Sequence, residues 1–202
     1  MNCPSFNEAI TRVHNPKAIS DLSPSDINRK RIAYDELLAN QLSLAIVRSR
    51  IKKQKGRSLK GNGLISKKVL DILPFKLTEF QEKVLEEINA DLTSEFRMHR
   101  LLQGDVGSGK TIVSFLSMLI AVEAGAQAAI MAPTEILSKQ HIETLAPICE
   151  EIGIRIELLT GKIKGKKRKA ILEDLIEGKI DILVGTHALF TEDVEFKDLA
   201  FV

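Results

Sequence analysis

The sequence is short of several things that would point to a particular class. Cysteine occurs only at Cys3 and Cys149, far apart and with no C-x-x-C spacing. That excludes a disulfide framework and points to a reducing cytoplasm. The four histidines are scattered and share no metal-ligand spacing with either cysteine. No apolar run approaches the ~20 residues needed to span a bilayer, and the N-terminus lacks the charged-then-apolar pattern of a secretory signal. Net charge is only +2, so overall charge does not announce nucleic acid. The basic residues nevertheless gather in two places. No internal repeat is visible beyond an alternation of elements, and no low-complexity segment beyond those basic clusters. The 28% charged and 44% hydrophobic residues are ordinary for a globular chain. The length of 202 residues allows one domain with a core, or one domain plus a helical extension.

One stretch organises the rest. Leu101-Leu102-Gln103-Gly104-Asp105-Val106-Gly107-Ser108-Gly109-Lys110-Thr111 carries G-x-x-x-x-G-K-T between an apolar entry, Arg100 to Leu102, and an apolar helical pattern, Ile112 to Val122. That order reads as strand, loop, helix. Gly104, Gly107 and Gly109 let the backbone turn and let a phosphate approach. The loop N–H groups form an anion-binding nest, and the helix N-terminus adds partial positive charge. Lys110 is placed to reach the β- and γ-phosphates, and Thr111 to offer its hydroxyl to Mg²⁺. With glycine at about 7% of average usage, the pattern arises by chance in roughly one chain of this length in a hundred.

Taken in order, residues 1–30 read as irregular, because Pro4, Pro16 and Pro24 break long elements. Ser23-Pro24-Ser25-Asp26 reads as a helix start. A helical pattern then runs from Ile27 to about Lys55. It ends in Arg48, Arg50, Lys52, Lys53, Lys55 and Arg57, with glycines at 56, 61 and 63. This basic run suits a solvated helix end and equally a DNA-backbone contact. A short helix is expected over Lys67–Ile72. Thr78 is a good N-cap for a helix from Glu79 to Asn89, with Gln81 in its first turn.

After the phosphate loop, short apolar strands are expected at Gln127–Met131, Arg155–Leu159, Asp181–Val184 and from Leu199. Helices intervene, one from Pro133-Thr134-Glu135 to about Ile152 and one ending at Gly178. Between Thr160-Gly161 and that second helix lies a basic loop with Lys162, Lys164, Lys166, Lys167, Arg168 and Lys169. Repeated βα units mean an α/β fold with a parallel sheet covered on both faces. Ligands in such sheets bind at the carboxyl ends of the strands. Here those ends carry Gly104–Thr111, Pro133-Thr134, Thr160-Gly161 and Gly185-Thr186-His187.

Those stretches resemble the ordered motifs of superfamily 2 helicases. Gly104–Thr111 is similar to motif I, Ala132–Leu137 with Gln140-His141 to motif Ia, and Gly185–Leu189 to motif Ib. Leu77-Thr78 with Gln81 is similar to the upstream element that reads adenine. Within that superfamily the chain resembles the RecG family of bacterial ATP-dependent DNA helicases over essentially its whole length. The match includes Ala33-Tyr34-Asp35-Glu36-Leu37-Leu38 and Leu159-Thr160-Gly161. The transcription-repair coupling factor has a related phosphate loop and ranks second.

The resemblance implies a partial RecA-like P-loop NTPase domain preceded by a helical linker. Residues 1–75 would form the connector from a DNA-junction wedge, and residues 76–202 the N-terminal part of the first motor domain. ATP and Mg²⁺ are the implied cofactors. Gly104, Asp105, Val106, Gly107, Ser108, Gly109, Lys110 and Thr111 would hold the triphosphate, Lys110 and Thr111 being catalytic and Thr111 the metal ligand. Gln81 would bond adenine. Pro133, Thr134, Thr160, Gly161, Gly185, Thr186 and His187 would touch the DNA backbone, fixing register and not sequence. On its own pattern, His187 reads as a structural hydrogen-bonder and not a catalyst. The implied partners are branched, fork or junction DNA and the remainder of the motor, with no membrane.

The family pattern also sets expectations the chain does not meet. The Asp-Glu motif, the second motor domain with its arginines and the wedge are absent from these residues, so phosphate binding without appreciable turnover is expected. Leu101-Leu102 is expected to lie as an unpaired hydrophobic edge. Two other readings stand beside the motor: a module that binds DNA or a partner, and a small P-loop kinase. A kinase has no need for DNA-facing motifs at successive strand ends.

Overall fold

The structure is a computed structural model. It describes residues 3–52 and 54–202, with only the backbone described at residues 51 and 52. Lys53 and the Lys52 side chain, both part of the basic run read from sequence, lie outside the described residues. The chain divides into two compact units, Met1–Gln54 and Lys55–Val202.

The first unit is helical. Helix α1 (Phe6–His14) opens on a capping box, in which Glu8 N donates to Ser5 Oγ at 3.3 Å and Ser5 N to Glu8 Oε2 at 2.9 Å. The prolines made this stretch read as irregular. They flank the helix, however, and Ser5-x-x-Glu8 supplies its start. A 3₁₀ turn, Ile19–Leu22, then holds Asp21, which is buried. Its carboxylate accepts from Lys17 N at 2.8 Å and Ala18 N at 3.1 Å and pairs with Arg12 at 2.8 Å. The bond from Lys17 N leads in holding this carboxyl below the usual range, against the opposing effect of burial. Helix α2 (Ile27–Lys52) starts at Asp26, whose side chain accepts from Asn28 N at 2.9 Å. Tyr34, Leu37, Leu42 and Val47 are exposed along it.

The second unit is built on a parallel sheet. Among the described residues it has four strands in the order β2-β3-β1-β4. These are β1 (Gln127–Met131), β2 (Ile156–Leu159), β3 (Ile182–Gly185) and β4 (Leu199–Phe201). Ile130 pairs with Val184 and Met131 with Gly185, while Leu158 pairs with Val184 and Leu159 with Gly185. Successive side chains point to opposite faces, and the two cores follow that alternation. Ala128, Ile182 and Val184 join one core, with Ile156 and Leu158 packed against it. Ala129, Leu183 and Leu159 join the other. Ile182, Leu183 and Val184 are fully buried, each contributing about 1.5–3 kcal/mol by transfer out of water. Both faces being covered explains why this strand is apolar without interruption.

Helices α3 (Leu64–Ile72), α4 (Glu79–Thr93), α5 (Lys110–Glu123) and α6 (Glu135–Ile152) supply the first core, and α7 (Gly165–Ile176) the second. The sequence reading placed a boundary after residue 75. The compact unit instead begins at Lys55, because Leu59 and Val69 are buried in the first core beside Ile88 and Phe115. Helix α3 is also tied to α5 by charge. The Glu123 carboxylate accepts from the backbone N–H groups of Gly63 at 2.7 Å, Ile65 at 2.7 Å and Ser66 at 2.9 Å. An anion at a helix N-terminus satisfies orphan donors and complements the dipole.

The strand expected at Arg100–Leu102 does not form. The lead-in to the phosphate loop carries no strand ladder, and Leu101 is 85% exposed. Side chains hold it instead. Arg100 donates to Asp91 Oδ2 at 2.7 and 2.9 Å and to Glu87 Oε2 at 2.8 Å, both on α4.

Candidate nucleotide and nucleic-acid site

The phosphate loop runs from Gly104 to Thr111 and opens α5. Gly107 and Gly109 have φ of +83° and +80°, values that L side chains rarely adopt. At Gly109 a Cβ would also lie 2.3 Å from Gln81 Nε2, and at Gly104 a Cβ would lie 2.8 Å from Ser108 Oγ. Ser108 N donates to Asp105 O at 3.2 Å, closing the turn. Among the described residues the N–H groups of Gly107, Gly109, Lys110 and Thr111 have no acceptor in the chain. They stand at the loop and at the positive end of α5, where an anion is favoured.

The Lys110 ammonium folds back over this loop. It donates to Gly104 O at 2.8 Å and Asp105 O at 2.5 Å, with Ser108 Oγ at 3.5 Å. The amine is thus held where a phosphate would sit, on carbonyls that an anion replaces. Thr111 is half-buried in the first turn of α5, and among the described residues its hydroxyl has no hydrogen-bond partner. The glycine cradle, the free N–H groups and this hydroxyl fit a triphosphate with its metal ion.

Gln81 approaches the loop from α4. Thr78 N donates to its Oε1 at 2.9 Å, Gln81 N donates to Thr78 Oγ1 at 3.3 Å, and Gln81 Nε2 donates to Ser108 O at 2.9 Å. The side chain caps its own helix and grips the phosphate loop at once. Its sequence signal, Thr78 three residues before Gln81, is that of a capping box, and the bond to Ser108 had no signal of its own.

The other expected site residues lie at the carboxyl ends of β1, β2 and β3. Thr134 caps α6, accepting from Leu137 N at 3.3 Å, and Pro133 and Thr134 are exposed. Gly185 closes β3, where a Cβ would lie 2.2 Å from Leu159 O and 2.8 Å from Leu189 Cδ2. Thr186 is half-buried, and His187 is exposed in a 3₁₀ turn, His187–Phe190. Thr160 differs from expectation. It is 3% exposed, because it continues the strand packed against β3. Gly161 is the exposed residue of that turn.

The basic loop is partly neutralised within the fold. Lys162 Nζ lies 2.6 Å from Glu135 Oε2, a contact that raises the lysine's affinity for its proton. Arg168 makes a two-pronged contact with Asp193 at 2.8 and 3.0 Å. The hydroxyl of Thr191, followed by that guanidinium, holds the Asp193 carboxyl below the usual range. Lys164, Lys166 and Lys167 are exposed and, among the described residues, have no acidic partner. Neither ion pair had a local signal in the sequence, since each joins residues far apart in the chain. Among the described residues no group of histidines, cysteines and carboxylates could hold a metal ion.

A parallel sheet bearing a glycine-rich loop at the start of a helix defines a RecA-like P-loop domain. The sequence model of the DEAD/DEAH box helicase family matches residues 78–202, more than half of the chain, and the chain belongs to that family. It is 43% identical over its whole length to the ATP-dependent DNA helicase RecG of Aquifex aeolicus, 26% of which it covers. Against the RecG of Bacillus subtilis it is 42% identical over 98% of this chain and 29% of that one. A solved structure of RecG bound to a three-way DNA junction superimposes with a TM-score of 0.78 at 41% identity, over 95% of this chain and 26% of that chain. The chain therefore spans between a quarter and a third of the length of the relatives it matches. No described helix is long and apolar enough to cross a membrane.

Proposed function

We propose that the Lys55–Val202 unit is the nucleotide-binding part of the first motor domain of a RecG-like DNA helicase, with α1 and α2 as its connector. The nucleotide is ATP with Mg²⁺. The parent activity is ATP-driven remodelling of branched DNA in recombination and repair. One observation carries the reading. The phosphate loop opens α5 while the turns at 133–134, 160–161 and 185–187 leave the carboxyl ends of three strands of the same sheet. That edge is where parallel sheets bind ligands.

The chain's own groups divide the work. The free N–H groups of Gly107, Gly109, Lys110 and Thr111 cradle the phosphates. Lys110 leaves the carbonyls of Gly104 and Asp105 for the anion. Thr111 offers its hydroxyl to the metal ion. A metal ion held there by Thr111 would supply charge neutralisation for the triphosphate. Pro133-Thr134, Gly161 and Gly185-Thr186-His187 meet the DNA backbone, with the free lysines 164, 166 and 167 adding counterion release. Two cysteines without a disulfide fit the cytoplasmic setting read from the sequence.

The test is calorimetry of ATP·Mg²⁺ with the chain and with Lys110→Ala, joined to anisotropy titrations of a three-way DNA junction across salt. Saturable nucleotide binding lost in the variant and salt-steep DNA binding are expected. Absence of both in a folded chain overturns the reading.

A further inference from the structure

Glu135 and Lys162 belong to two different turns of the DNA-facing edge. Glu135 begins α6 directly after Pro133-Thr134, at the end of β1. Lys162 follows Gly161, at the end of β2. Strand β3 lies between β1 and β2, so the turns stand two strand spacings apart, about 10 Å. The pair at 2.6 Å closes that interval. The two partners are unequally placed. The Lys162 side chain is 79% exposed and that of Glu135 only 29%. The carboxylate is fixed on a helix start, and the lysine is the mobile partner on a flexible stem.

An acidic residue on an edge that meets phosphates opposes binding by its charge. A lysine it occupies is a cation withheld from the DNA. We propose that Glu135 is a brake on DNA affinity acting through Lys162: the lysine pairs with Glu135 in the free protein and passes to a DNA phosphate on binding. This rests on the proposed DNA-facing edge. An exposed ion pair is weak, so the exchange is readily reversible. A motor that steps along a backbone needs contacts that can be released.

The sign of one substitution separates this from a staple that merely holds the two turns together. Glu135→Gln frees Lys162. It is expected to raise affinity for a short DNA duplex about two- to fivefold at low salt with little change in the log–log salt slope, because the same lysine–phosphate contact forms in both complexes. In a Lys162→Gln background the same substitution is expected to do much less, because the lysine that would carry the gain is gone. The measurement is anisotropy of the four proteins (unsubstituted, two singles, one double) over a range of salt. Unchanged or lowered affinity in Glu135→Gln overturns the brake. An equal gain in both backgrounds also overturns it, since Glu135 would then act as a plain repulsive charge. Failure of the unsubstituted chain to bind DNA at any salt is a distinct result, removing the DNA reading and the brake with it.

Discussion

Gln81 donates its side-chain N–H to the carbonyl of Ser108 at 2.9 Å, while its oxygen accepts from Thr78 N at the same distance. One amide therefore ties the start of α4 to the phosphate loop. The adenine contact implied for Gln81 has to be made by a side chain already engaged at both ends. The two roles can be separated chemically. Gln81→Glu keeps an acceptor for Thr78 N and places an anion at a helix N-terminus, but cannot donate to Ser108 O. It is expected to unfold at nearly the same urea concentration as the unsubstituted chain and to bind ATP more weakly. Gln81→Ala also loses the return bond from Thr78 N, at a cost of about 0.5–1.5 kcal/mol, while the Thr78 hydroxyl still accepts from the N–H of residue 81. Urea midpoints beside calorimetric affinities resolve the two effects.

Lys110→Ala removes the only ammonium folded over the loop among the described residues. A hydrogen bond to a charged group is worth about 1.5–3 kcal/mol, so ATP·Mg²⁺ affinity is expected to fall about ten- to a hundredfold. Calorimetry on a variant whose circular dichroism is unchanged provides the check.

Gly185→Ala meets a backbone atom, not a flexible side chain. The added methyl would lie 2.2 Å from Leu159 O, so β2 and β3 must move apart. Overpacking of this kind costs about 1–3 kcal/mol, read as a lower urea midpoint with a similar slope. Gly161→Ala, where nothing lies within 4 Å of the added atom, is expected to leave the midpoint nearly unchanged.

Cys149 is fully buried on α6, and its thiol is pushed up to about 12, first by burial and then by the Asp181 carboxylate. Its folded value lies above the unfolded one. Protonation linkage therefore supports the fold below about pH 9 and fades as pH rises toward 12, with a slope of at most about 1.4 kcal/mol per pH unit. The urea midpoint of the unsubstituted chain is expected to fall more steeply between pH 9 and 11 than that of Cys149→Ala. At pH 8 a thiol reagent is expected to label Cys3, which is exposed, and to reach Cys149 only on unfolding.

Much of the second unit was legible because its signals are local. Ile182-Leu183-Val184 is apolar without a break because both faces of β3 are covered. Thr78 with Gln81, and Thr134 before α6, announce helix starts through one side chain each. Features that depend on distant partners were not legible. Leu59 is an isolated apolar residue among lysines and glycines, so nothing nearby showed that it is buried in the same core as Phe115. Arg100–Leu102 has the composition of a strand but joins no ladder. In the site, the loop glycines were readable, while the engagement of Lys162 by Glu135 and the burial of Thr160 followed only from the arrangement of β1, β2 and β3.

The Glu123 carboxylate that caps α3 also bears on the order in which the chain assembles. Helix α3 has nine residues and starts at Gly63, which has no side chain to cap it. A helix that short is marginal on its own, and its missing cap is lent by the last residue of α5. Helix α3 is thus expected to mature after α5 during folding, and the amide protons of Gly63, Ile65 and Ser66 to slow their exchange with solvent only once the α5 C-terminus is in place.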